Sequence, residues 1–165
     1  MQAIPFLVSF ITTGRLHGLG IGSTLTQVDE AIHCTFFDDS GDEGLYLRRD
    51  YGFVEFSFNP GREWVMTGAS IELHRLVSGH EMAEKWRERM NVDFPSHLSW
   101  DDLHDALSRD PWFPHLTVKD QGGFLEYRAA ATDVSVIVND DDGEHGWPRQ
   151  GDVWSVSLWS AERAL

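Results

Sequence analysis

The chain has 165 residues, 41% of them hydrophobic, with seven tryptophans and ten phenylalanines, and its 27 acidic against 13 basic residues give a formal charge of −14. Such a content of large apolar side chains excludes a disordered chain and fits one domain with a sizeable core. The charge repels polyanions, so nucleic acid and anionic membrane surfaces are excluded as partners, whereas a basic protein would be attracted and steered.

The apolar run at residues 4–11, rich in Phe, Val and Ile, predicts a strand ending in a turn at Thr13 and Gly14. It is too short to cross a bilayer and lacks the basic flank and small-residue cleavage pattern of an export signal, so a cytoplasmic protein is expected. Gly18, Gly20 and Gly22 lead into a short helix. Thr24 and Gln27 stand at capping-box spacing, and Leu25, Val28, Ala31 and Ile32 form its apolar stripe. Cys34, the single cysteine, has no disulfide partner within the chain and reads as a buried thiol. Adjacent His33 would point about 100° away on a helix, a poor position for a base.

Residues 38–44 read as a solvated acidic turn. Residues 45–49 and 53–58 predict two strands joined at Asp50, Tyr51 and Gly52, with Val54, Phe56 and Phe58 on one face and Phe53, Glu55 and Ser57 on the other. After Asn59, Pro60 and Gly61 break the run, residues 69–76 predict a further strand. Met82, Trp86 and Met90 then recur every four residues, which predicts a helix over 79–90. Ser99 caps the next helix, with Asp102 at the matching third position; Leu103, Ala106 and Leu107 form its buried face, and Pro111 and Pro114 stop it. Residues 116–118, 124–127, 134–138 and 153–159 predict four more strands. The last two flank a polar loop carrying Asp140, Asp141, Asp142, Glu144 and Trp147.

The expected fold is α+β, an antiparallel sheet backed by short helices in one domain spanning 1–165. Two tandem helix-then-strands units, 1–78 and 96–165, would be joined by the helix over 79–90. A short helix and a small sheet are each marginal alone and satisfy one another when the helix covers one sheet face. Two such units joined edge to edge leave the opposite face uncovered. Strand alternation would put surplus aromatics there, Phe53, Tyr127 and Trp154 among them, with Trp154 and Trp159 on opposite faces because their separation is odd.

The run from Gly18 through Gly20, Gly22, Thr24 and Gln27 to Val28 resembles the glycine-led opening and short helix of beta-lactamase-inhibitory-protein domains and of the related outer-membrane assembly lipoprotein domain. Residues 99–107 are a weaker second instance. The resemblance implies a helical hairpin laid on an antiparallel sheet. It also implies a binding mode in which a concave sheet surface grips a partner through aromatic and acidic residues. The inhibitor has paired cysteines in each copy and this chain has one, so what carries over is architecture and binding mode, with a cytoplasmic partner.

No nucleophile elbow, phosphate loop, dinucleotide loop or Cys-x-x-Cys occurs. Glu55, Glu72 and Glu126 stand in apolar strands, where a carboxylate pair for acid–base work would be sought, and strand alternation is equally compatible with each facing solvent. His80 and Glu81 open like a zinc-protease helix, but Glu84 stands where the second histidine belongs. His74 with His80, and His97 with His104, are the histidine pairs near enough in sequence for folding to gather, though their spacing alone makes no ligand set. The acidic stretches 38–43 and 140–144 lack EF-hand spacing, which leaves a solvated loop or a contact with a basic partner. No metal and no cofactor are expected.

Three functions follow in order. The first is an acidic protein-binding module, an inhibitor or immunity-type protein that neutralises a basic partner. It would use Trp147 and Trp154 as anchors, flanked by Asp140, Asp141, Asp142 and Glu144, with Asp38 and Asp39 as a second acidic patch. The second is an enzyme or small-ligand binder with a pocket between sheet and helices. The third is a structural or self-associating role.

Overall fold

The computed structural model describes residues 1–41, 43–142 and 147–161. Its amino-terminal apolar run winds into a helix, α1 (Ala3–Thr13), where a strand was expected. The reason lies in the spacing: Phe6, Leu7, Phe10 and Ile11 fall on one helical face and are all buried, and an apolar run of this length does not by itself fix the period. Gly14 ends α1 at φ +66°, its N–H donating to the Phe10 carbonyl at 2.8 Å. That left-handed position favours glycine at a helix end.

The second helix, α2 (Leu25–Ala31), has its predicted capping box: Gln27 N–H donates to Thr24 Oγ1 at 3.2 Å, and Thr24 N–H donates to Gln27 Oε1 at 2.9 Å. Four strands follow, β1 (Phe37–Asp39), β2 (Leu47–Asp50), β3 (Val54–Asn59) and β4 (Val65–Ile71). Two corrections arise here. Asp38 and Asp39 belong to a strand and not to a turn, because Arg49 and Arg48 stand opposite them in register and supply counter-charge. The strand expected over 69–76 starts earlier and ends at Ile71; Leu73–Val77 forms a 3-10 turn that buries Leu73 and Leu76, three residues apart, on one side of that tighter helix.

Two helices come next, α3 (Glu81–Met90) and α4 (Trp100–Ser108). On α3, Trp86 is buried at 1% exposure, with Met82 and Met90 packed at the margin. Ser99 caps α4 by accepting from Asp102 N–H at 3.2 Å. The remaining strands are β5 (Leu116–Asp120), β6 (Phe124–Ala129), β7 (Ser135–Asn139) and β8 (Val153–Trp159).

All eight strands form one antiparallel sheet in the order β1-β2-β3-β4-β8-β7-β6-β5. The α+β class is as expected, with β4 and β8 joining two four-stranded meanders. On the helix side, Phe56 pairs with Ala69, Ala69 with Leu158, and Val136 with Val156, all buried. Phe53 is sealed here too, edge-on to Trp86 at 5.6 Å and Phe94 at 5.1 Å. Tyr127 stacks on Trp100 at 4.2 Å. Neither aromatic reaches the face opposite the four helices: Phe53 precedes β3, where strand alternation does not apply, and Tyr127 shares the phase of buried Ala129.

Candidate functional site

The sheet face away from the four helices starts from small residues. Its central rows run Ser57, Gly68, Trp159 and Glu55, Ser70, Ser157, Ser135. Ser57, Ser70 and Glu55 are buried, so this face is free of the four helices but closed at its centre, and what it exposes lies around Trp147. Trp159 lies across Gly68, with its ring where a side chain at 68 would be.

Trp154 joins this face through a bulge. The β7–β8 register passes from Ile137 opposite Ser155 to Val138 opposite Val153, so Trp154 has no partner across the ladder. Alternation is broken there. Val153 points into the core, and Trp154 meets Phe124 edge-on at 5.0 Å on the helix-free side. Trp154 and Trp159 thus share a face, contrary to the expectation from their odd separation.

Around Trp154 an aromatic group assembles. Trp147, half exposed at 52%, stacks on it with centroids 5.2 Å apart and planes 18° apart. His74, from the 3-10 turn, also stacks on it, at 4.4 Å and 10°. Burial pushes the His74 pKa below its ordinary value, while the Glu72 carboxylate, 3.5 Å from its Nδ1, and the Trp154 carbonyl act in the opposite direction. The loop that carries Trp147 is tied down at both ends. Asn139 Nδ2 donates to the Pro148 carbonyl at 2.8 Å and to the Asp141 carbonyl at 3.0 Å. Buried Asp152 accepts from Arg149 N–H at 2.9 Å and lies 2.8 Å from His97 Nδ1.

Two hollows flank Trp147. One, of about 260 Å³, is walled by Trp147, Trp154, Phe124 and Asp141. The other, of about 320 Å³, lies towards His74, Arg75 and Met82. Asp140, Asp141 and Asp142 are exposed, and Asp141 lines the first hollow. Among the described residues their carboxylates accept no hydrogen bond and join no ion pair. Glu144 lies outside the described residues. At the same end of the sheet Arg75 bonds Glu55 at 2.7 Å and approaches Asp50 at 3.4 Å.

Asp38 and Asp39 are elsewhere. β1 is four strand positions from β8, about 19 Å at the usual strand spacing. Asp38 holds Arg49 through both carboxylate oxygens, at 2.8 and 2.9 Å, and Asp39 lies 3.7 Å from Arg48. Asp29 of α2 also bonds Arg49, whose pKa is raised chiefly by the Asp38 bonds.

The histidines are dispersed: His80 bonds Ser96, His97 meets Asp152, and His104 packs against Trp100 and Phe113. A cleft of about 510 Å³ does lie between α3 and the β1–β2 edge, with Cys34, Phe36, Tyr51 and Trp86 in its walls. Burial raises the Cys34 pKa. Tyr51 Oη and Trp86 Nε1 are sealed and, among the described residues, without partners at hydrogen-bonding distance, so neither is offered to an occupant. His74 and Phe124, absent from the sequence-derived anchors, belong to the site. In sequence each is an ordinary strand candidate, and only the sheet order brings them to Trp154.

No helix among the described residues is long and apolar enough to cross a membrane. No protein-family model and no curated protein matches the chain. Among solved structures it is similar to a DUF4309 family protein (YjgB) from Bacillus subtilis subsp. subtilis str. 168, at 11% identity over 95% of each chain with a TM-score of 0.42. A likeness at that level carries no argument.

Proposed function

We propose that this chain is a cytoplasmic, non-enzymatic protein-binding module, an inhibitor or immunity-type protein that neutralises a basic partner on the helix-free face of its sheet. The observation that carries the reading is the half-exposed Trp147 stacked on Trp154, with the exposed carboxylates of Asp140, Asp141 and Asp142 nearby, which have no partner among the described residues. Rigid indoles bury a large area at little entropic cost, and unpaired carboxylates at the rim accelerate encounter with a cationic surface. The succession of two helices and four strands, seen twice along the chain once α3, expected as a joining helix, is counted with the second set, supports a tandem unit like that of beta-lactamase-inhibitory proteins. Their use of a sheet surface for binding is the mode carried over here.

The test is kinetic, on a basic protein captured at low ionic strength. For the wild type, association slows steeply with added salt. Replacing Asp140, Asp141 and Asp142 together by Asn flattens that slope, while Trp147→Ala chiefly speeds dissociation. Equal association and dissociation in all three proteins would overturn the reading.

A further inference from the structure

We infer that the hollow bounded by Trp147, Trp154, Phe124 and Asp141 is a receptor for one arginine side chain of the bound partner. The inference rests on the binding reading above and deepens it. The walls of the hollow are aromatic, and although Trp154 is itself stacked by His74 and Trp147, Trp147 remains half exposed. A guanidinium, planar and weakly hydrated, stacks on an indole in preference to an ammonium. Asp141 lines the same hollow, and its carboxylate has no partner among the described residues. A carboxylate at the edge of an aromatic wall completes the match, since it takes the guanidinium fork through two parallel bonds.

The chain already builds this arrangement once, from its own residues. The guanidinium carbon of Arg49 sits 3.7 Å above the Phe36 ring. Its Nε and Nη2 donate to the two oxygens of Asp38 at 2.8 and 2.9 Å. There the aromatic ring, the carboxylate and the arginine are all present. At Trp147 and Trp154 the ring surfaces and the carboxylate recur, and the cation is left for the partner to supply. At about 260 Å³ the hollow admits one side chain and not a folded element.

The experiment titrates the full chain with N-acetyl-arginine amide and follows the indole Nε1–H resonances of Trp147 and Trp154. Saturable shifts of both are expected, with millimolar affinity. Asp141→Asn should weaken binding about tenfold, and Trp147→Ala should abolish it. The citrulline amide, neutral and of the same shape, should be silent, and the lysine amide weaker than arginine. Unmoved indoles, or citrulline binding as well as arginine, would overturn the receptor. In either of those cases, loss of the captured basic protein in Trp147→Ala would still leave the binding face standing, so the two readings fail separately.

Discussion

Arg75 reaches back from the 3-10 turn to Glu55 on β3, its Nη2 donating to Oε1 at 2.7 Å while Nη1 donates to the Gly52 carbonyl at 3.0 Å. Glu55 is 9% exposed, so the pair holds a nearly buried carboxylate in place and fixes the turn that carries His74. Removing Arg75 strands that charge. Breaking a buried pair costs about 3–5 kcal/mol, but a third of Arg75 remains in water, and Arg75→Ala should cost about 2 kcal/mol. Adding Glu55→Gln should recover much of the loss, because an amide is easier to bury unpaired. Urea midpoints of the three proteins check this; equal midpoints for the single and double variants would refute it.

What the sequence disclosed divides by range. The caps at Thr24 and Ser99 are local hydrogen-bond chemistry and were legible from three residues each. The α3 stripe was equally readable, because Trp86 lies among charges that leave one face apolar. At α1 an apolar run without polar punctuation hid the helical period, and Gly14 was its clearest end signal. The Trp147–Trp154 pair could be suspected from composition, but the bulge that turns Trp154 outward depends on β7–β8 register. Likewise Asp38 looked free until β2 placed Arg49 opposite it. Such contacts are fixed by strand order, which local pattern does not encode.

The His74 stack on Trp154 makes the site sensitive to acid. Burial lowers the His74 pKa, so the folded state holds it neutral while the unfolded chain takes up a proton near pH 6.5. Its contribution is intact above that pH and is lost as pH falls towards the folded value. Arg75 adds to the lowering, and Glu72 and Glu55 oppose it. The His74 Cε1–H resonance should therefore titrate below 6.5. His74→Phe, which keeps an aromatic ring there, should lose less stability than the wild type between about pH 7 and pH 5. A midpoint above the ordinary value would contradict this account.

Tyr51 gives an alkaline counterpart. Its hydroxyl is sealed and has no partner at hydrogen-bonding distance among the described residues. Burial pushes its pKa to about 12, with the charge and the more distant approach of the Arg49 guanidinium offsetting part of the rise. The unfolded chain ionises this group near pH 10, so stability present below that pH is lost as pH climbs towards 12, by about 2–3 kcal/mol. Tyr51→Phe should change stability little at pH 7, since it removes an unsatisfied polar atom. It should also lessen the decline between about pH 10 and pH 12. Denaturation midpoints for both proteins across that range decide it, and parallel curves would count against the burial argument.

Gly68 is required by Trp159. A methyl at position 68 would stand 2.1 Å from Trp159 Cε3 and 2.3 Å from Cζ3, far inside contact distance. The backbone does not itself demand glycine, for Gly68 is not among the positive-φ residues. The constraint is therefore the indole lying flat on the sheet. In the wild type, Gly68→Ala must swing Trp159 aside and should cost about 1–3 kcal/mol. With Trp159→Val in place the obstruction is gone, and alanine is the better strand residue, so the same substitution should become neutral or stabilising by up to about 1 kcal/mol. A double-mutant cycle on urea midpoints reads this change of sign directly. An equal cost in both backgrounds would show that something other than the Trp159 ring keeps position 68 bare.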